Sequence, residues 1–473
     1  MSDRGRDALA ALGRLLDGPG LLHEPEDLAP YLNEPRGRFH GRALAVARPE
    51  STEQLAAIVR CCSEHELAMV PQGGRTGLVG GASPINGELI ISLERMRRLR
   101  SIDPIDTSLV VEAGMPLARV RQIAAEHGLR YPVSLASEGT ATIGGTLATN
   151  AGGNLTIRYG NTRAQVLGLE AVLPDGRVFS ELSPLRKDNS GYDLKQLLIG
   201  SEGTLGIITA ACLRLAPAPR QGVTAMLATH SLDQGLALLR QLRAELGETL
   251  SACEFMPRLA LDFVLADQPR ARDPFDRVHP WYLVVQVESA LAGDWLKPAL
   301  LNVLESALQG GRIDDAVLAE SEQAALDFWA LREGISRAQA RGGVSLKHDI
   351  SVPVPRIPDF MQAVLSELER AVPGIRPCVF GHLGDGNLHF NLSQPEGLSG
   401  EDFRAREADC NRIVFDQVHA VGGSIAAEHG VGQLRREELA RGQARKLELM
   451  ARVKSALDPA GLMNPGKLMP VRP

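Results

Sequence analysis

Apolar positions along the chain alternate between a period of two and a period near 3.6. The runs ALAVARP (43–49) and LAMVPQGG (67–74) read as strands, and STEQLAAIVRCCSEHE (51–66) between them reads as a helix capped by Ser51 or Thr52. This β-α-β start predicts mixed sheet and helix. Further strands are expected at SLVVEAG (108–114), LEAVLPDGRV (169–178) and LGIITAACLRLAP (205–217), with Pro174–Gly176 as a hairpin turn. After Pro217 the texture changes. GVTAMLATH (222–230) and WYLVVQVES (281–289) read as strands, and SLDQGLALLRQLRAELG (231–247) reads as an amphipathic helix with a Ser cap. Residues 320–340 read as helical, VSLKHDISVPV (344–354) as a strand and 401–457 as a last helical region before a turn-rich tail. The second half is therefore expected to hold an antiparallel sheet with helices, and the fold class to be α+β.

Composition narrows the classes. A chain of 473 residues exceeds a single core, so at least two domains are expected. A net charge of -6 argues against a nucleic-acid footprint. The six cysteines form no C-x-x-C pair, and they are expected to be buried thiols of a reducing compartment. The N-terminal stretch reads as an amphipathic helix, not a signal peptide, and no run of 18 apolar residues exists. A cytoplasmic protein without a membrane span is expected.

Three dense glycine clusters are PQGGRTGLVGG (71–81), ASEGTATIGGTLATNAGG (136–153) and GYDLKQLLIGSEGTLGIIT (191–209). Glycine lets backbone N–H groups turn toward a ligand, and the interleaved Thr and Ser add hydroxyls. Together they suggest a cradle for a pyrophosphate and a planar ring. No G-x-G-x-x-G follows a strand, and no G-x-x-x-x-G-K-[ST] occurs. The clusters, with RKDNSGYDLKQL, resemble the FAD-binding signatures of the vanillyl-alcohol-oxidase/para-cresol-methylhydroxylase flavoprotein superfamily. The resemblance covers most of the chain. It implies FAD contacts from Gly73, Gly74, Arg75, Thr76, Gly77 and Leu78. In the second cluster it implies Ser137, Gly139, Thr142, Gly144, Gly145, Asn150 and Gly152, and in the third Glu202, Gly203, Gly206 and Ile208. Neither His nor Cys occurs in 71–81 or 136–153, so FAD is expected to be noncovalent. The expected domains are an FAD-binding domain over 1–217, a substrate domain over 218–405 and a C-terminal helical segment, 406–473, that completes the site.

CVFGHLGDGNLHFNL (378–392) carries the sharpest chemical signal. With Asp385-Gly386 as a two-residue hairpin turn, Gly384 faces Asn387, Leu383 faces Leu388 and His382 faces His389. Asn391 falls on the same face as His389. Two opposed imidazoles can chelate one ion. In GGSIAAEHGVGQ (422–433), Glu428 could add a carboxylate, and its neighbour His429 is expected to point the other way if the segment is extended. Such a set suits zinc, manganese or iron. GHLGDGNLHFN and AAEHGVG resemble the metal-binding signatures of D-2-hydroxyglutarate dehydrogenases and their D-lactate dehydrogenase relatives. The resemblance implies His382, His389 and Glu428 as metal ligands, His429 as the base and Asn391 as a substrate contact.

In FWALREGISRAQARGGVSLKHDISVPV, Arg332 and Ser336 lie one helical turn apart, and Lys347 sits in the strand that follows. The same resemblance implies that these three hold a distal carboxylate, with Ser336 standing where relatives have Thr. It thereby implies oxidation of D-2-hydroxyglutarate to 2-oxoglutarate, with hydride passing from C2 to flavin N5. D-lactate, D-malate or glycolate are the alternative substrates. The expected partners are the substrate and an electron acceptor such as an electron-transfer flavoprotein or a quinone, and a homodimer is the default assembly. Rivals are a metal-dependent hydrolase with purely structural glycine loops and a noncatalytic flavin-binding subunit.

Overall fold

ALAVARP forms the strand Ala43–Ala47, and the helix that follows runs Thr52–Glu64. Ser51 is its cap, accepting from the Gln54 N–H at 3.2 Å, and Leu55, Ile58, Val59 and Cys62 bury its apolar stripe. This is a computed structural model that describes residues 3–470. It divides into two units. The first comprises the chain up to Gly153, Gly160–Ala218 and the chain from Glu428 on; the second comprises Asn154–Tyr159 and Pro219–Ala427.

The first unit holds two principal sheets. Ala43–Ala47 and Met69–Gln72 flank Glu88–Ser92 in parallel, with Leu21–Leu22 as an antiparallel edge. The other sheet is antiparallel, in the order Leu99–Asp103, Ser108–Glu112, Ile207–Arg214, Val166–Val172, Val178–Glu181. The Pro174–Gly176 turn joins the last two strands in this order, with Val172 opposite Val178. The C-terminal tail returns to this unit. Met69 donates its N–H to Leu462 O and accepts from Asn464 N, both at 2.8 Å.

The second unit is built on a seven-stranded antiparallel sheet. Its order is Asp315–Leu318, Gln221–Thr229, Trp281–Ser289, Leu250–Pro257, Arg376–His382, Asn387–Ser393, Ser345–Ser351. Met226, Met256, Val284, Cys378 and Phe380 form one apolar cluster with residues of the helices Arg258–Asp267, Glu322–Glu333 and Ile335–Arg341.

Three expectations change in detail. The helical stretch 320–340 is two helices broken at Gly334. The region 401–457 is four helices, interrupted between Ala420 and Arg436 by the segment that carries Glu428 and His429. Residues 406–473 are divided between the units at Glu428. The cause is backbone pairing: Ser424 bridges to Ser351 in the second unit, whereas Leu462–Asn464 pair with Met69 in the first. All six cysteines are buried free thiols.

Candidate active site

In the first unit the glycine clusters line a cavity of about 470 Å³, well inside the range for small-molecule sites. Gly73, Gly74, Arg75, Thr76, Gly77 and Leu78 all line it. So do Ser137, Thr142, Gly144, Gly145 and Gly152, and Glu202, Gly203, Gly206 and Ile208. Gly139 and Asn150 do not. Gly139 falls in the turn at 137–140, and Asn150 is the left-handed cap of the helix Ile143–Thr149, where its Oδ1 accepts from Arg163 N at 3.0 Å. Thr146 and Thr149 line the cavity as well and were passed over in the sequence, where they look like ordinary helix residues.

The cradle depends on backbone approaching backbone. A Cβ on Gly74 would sit 1.9 Å from Thr140 O, so the loop can close on the second cluster only with glycine there. None of the N–H groups from Gly74 to Leu78 donates to another described residue. A run of unpaired N–H groups is the lining an anionic pyrophosphate requires, while the Arg75 guanidinium itself stands over the Tyr31 ring at 4.8 Å. The residues therefore fit FAD.

Glu202 also holds a neighbouring segment. It is buried, with φ +52, and its two oxygens accept from Val431 N at 2.7 Å and Gly432 N at 2.8 Å. Burial raises its pKa, and the two N–H bonds oppose the rise. This fixes the residues just after His429. Glu428 and His429 both line the cavity, with His429 Nε2 3.4 Å from Glu428 Oε1. The alternation expected to send them to opposite sides does not apply, because the segment is irregular and not a strand.

In the second unit the hairpin is real but its register differs from the two-residue turn. His382 pairs with Asn387, Gly381 with Leu388, and Phe380 with His389. The turn takes four residues, Leu383–Gly386. Asp385 closes it by accepting from Asn387 N at 3.0 Å, and Gly386 has φ +83. His382 and His389 are thus diagonal, not opposed. A shift of two positions preserves the face, and their ring centroids lie 5.5 Å apart. Asn391, opposite Cys378, and Lys347, opposite Asn391 on the other side, occupy the same face. Asn391 is engaged by Gln339, donating to its Oε1 at 2.9 Å.

Arg332 is buried and Ser336 is exposed, so the helical spacing does not give them a common environment. Arg332 instead pairs with Glu254, which is 1% exposed: Nη2 and Nε lie 2.8 and 3.1 Å from Glu254 Oε2. Its guanidinium stands over the Phe380 ring at 4.8 Å. The other oxygen of Glu254, Oε1, lies 2.8 Å from His382 Nδ1. Burial acts to lower the His382 pKa, but the Glu254 charge reverses this and the imidazole is pushed up to about 9. Burial acts to raise Glu254, and His382 and Arg332 together hold it below its ordinary value. When Nε2 has no proton, Nδ1–H remains the donor to Glu254, leaving Nε2 as the lone-pair nitrogen. That donor chemistry fits a divalent ion. Glu254 was missed in the sequence. The signal was available: a single acid inside the otherwise apolar strand LSACEFMP must be paired when buried.

Known proteins support this architecture. Residues 43–180 match the FAD binding domain family and residues 218–468 match the C-terminal domain of FAD linked oxidases. D-2-hydroxyglutarate dehydrogenase of Xanthomonas citri pv. viticola is 41% identical over 95% of this chain and 94% of its own length. The mitochondrial D-2-hydroxyglutarate dehydrogenase of Bos taurus is 38% identical over 98% of this chain and 84% of its own. The crystal structure of p-cresol methylhydroxylase with substrate bound shares the fold, with a TM-score of 0.78 at 16% identity over 100% of this chain and 98% of that one. The cradle and the sequence likeness agree, and the chain belongs to the D-2-hydroxyglutarate dehydrogenase family of FAD-dependent oxidoreductases.

Proposed function

We propose that the protein oxidises D-2-hydroxyglutarate to 2-oxoglutarate with noncovalent FAD and a divalent cation, zinc first and manganese or iron next. The observation that carries this reading is a polar patch on the seven-stranded sheet. There His382, His389, Asn391 and Lys347 stand together on one face, beside the apolar Cys378 and Phe380. When bound, the flavin supplies a hydride acceptor for substrate C2, and the cation supplies Lewis acidity toward the C1 carboxylate and C2 hydroxyl. His382, His389 and Glu428 hold the cation. Asn391 orients the substrate. His429 takes the hydroxyl proton, and its place in the lining of the cradle supports that role. Arg332 and Lys347 bind the distal carboxylate, and the electron acceptor is an electron-transfer flavoprotein or a quinone.

His429→Asn should leave the flavin content unchanged and slow anaerobic flavin bleaching by D-2-hydroxyglutarate about 10²–10⁴-fold. Bleaching at the wild-type rate would remove His429 as the base. One observation favours a second reading, a smaller monocarboxylate such as D-lactate or glycolate: Glu254 already takes the Nε–Nη2 edge of the Arg332 guanidinium. The same bleaching assay with a panel of D-2-hydroxy acids, D-malate included, separates the two readings.

A further inference from the structure

Glu254 serves neither the flavin cradle nor the proposed base, yet it is among the least exposed acids of the chain, at 1%. A buried carboxylate is costly to keep charged unless its lone pairs are filled. Here they are filled by two groups with different jobs. Oε1 meets His382 Nδ1 at 2.8 Å, and Oε2 meets Arg332 Nη2 at 2.8 Å and Nε at 3.1 Å. Strand register creates the first contact, because Glu254 lies directly opposite His382 across the pair Leu250–Pro257 and Arg376–His382. The helix Glu322–Glu333 brings Arg332 onto that face, and Phe380, two residues before His382, stacks under its guanidinium.

We propose that Glu254 is a positioning residue that sets the His382 ring for metal binding and the Arg332 fork for a substrate carboxylate from one anchor. This rests on the reading of His382 as a ligand and Arg332 as an anion contact, and it adds a coupling between the two. A carboxylate on Nδ1 fixes the imidazole tautomer with Nε2 free to ligate, and it raises ligand basicity. The same carboxylate immobilises Nε and Nη2 of Arg332, so the guanidinium presents its Nη1 edge in one orientation. Loss of Glu254 therefore weakens two functions that no direct contact links.

The test uses the full-length, flavin-loaded protein stripped of metal, titrated with Zn²⁺ against a chromogenic chelator without turnover. Glu254→Gln keeps the shape but offers only one acceptor oxygen, and should weaken Zn²⁺ about 10–100-fold. It should also raise KM for D-2-hydroxyglutarate several-fold more than KM for D-lactate. Glu254→Asp keeps the charge and should recover part of both losses. Unchanged Zn²⁺ affinity in Glu254→Gln, with flavin content retained, overturns the proposal. If that variant does not fold, Glu254→Asp decides, and wild-type affinity together with a wild-type KM ratio overturns it. His382→Ala separates the two levels. If it abolishes Zn²⁺ binding while Glu254→Gln does not weaken it, the ligand assignment stands and the anchoring role fails. If His382→Ala binds Zn²⁺ normally, the ligand assignment itself fails.

Discussion

Lys467 is 1% exposed, and its Nζ has no hydrogen-bond partner among the described residues. Burial lowers its pKa from 10.5 to about 8, against the opposing pull of Glu88 and with a further push from Arg436. An unfolded chain holds this proton up to about pH 10.5 and the folded chain releases it near 8, so in that window the unfolded state binds more protons. Stability then rises with pH across the window, and the cost of the buried ammonium is fully present below it. Lys467→Met should stabilise the fold at pH 7 by on the order of 1–3 kcal/mol, read as a higher Tm, and the gain should shrink between pH 8 and 10.5. An equal gain at pH 7 and pH 10, by thermal unfolding, would show that the charge is not the cost. The contrast with Arg332 is instructive: both are buried cations, but Arg332 has Glu254. Neither partner state could be read from the chain, because pairing between residues 78 positions apart depends on strand order. What the chain did reveal were residues whose environment is local, such as the Ser51 and Ser231 caps and the buried thiols.

The loop after Met69–Gln72 shows how far an element can be read and where reading stops. Its glycines were legible as a cradle, and the reason is now geometric: the Gly74 Cα faces the Thr140 carbonyl with no room for a methyl. Gly74→Ala should therefore push the two clusters apart. Overpacking of this kind costs about 1–3 kcal/mol, and the damage should appear first in the flavin. The variant should purify with a lower ratio of flavin to protein absorbance, and excess FAD should raise its Tm more than that of wild type. A flavin ratio equal to wild type would show that the contact yields. The hairpin illustrates the opposite case. Asp385-Gly386 marked a turn, and the face shared by His382 and His389 survived, but the register did not. The Asp385 side chain closes a four-residue loop on Asn387 N, and a dipeptide rule has no term for that bond. The Arg332–Ser336 spacing failed for a related reason, since a helix face is defined by its neighbours and Gly334 interrupts the helix between them.

Chain connectivity makes the first unit depend on residues from both ends of the sequence. Residues from Glu428 on follow more than two hundred residues of the second unit, yet they fill defined places in the first. Leu462 and Asn464 hydrogen-bond to the edge residue Met69, and Met463 is fully buried beside it. Asn464 Nδ2 donates to Gly81 O at 3.0 Å and Glu202 O at 2.7 Å, and Lys454 Nζ donates to Thr204 O at 2.6 Å. Removing this tail would leave the Glu202 carboxylate without both of its N–H donors. A buried acceptor stripped of its partner costs about 1–3 kcal/mol, more when charged. The damage falls at the cavity wall, where Glu202 and Gly203 stand. A chain ending at Ala427 keeps every glycine assigned to the cradle, so a cradle made by local loops alone predicts full flavin retention. The packing predicts the reverse: such a chain should purify with little FAD, and limited proteolysis should cut between residues 70 and 81 or near 202 before it cuts the seven-stranded sheet. Adding residues 428–473 as a separate peptide should restore part of the flavin binding if the backbone pairing with Met69 and Glu202 is what the tail contributes. Full flavin retention without the tail would place the whole cofactor affinity in the glycine loops.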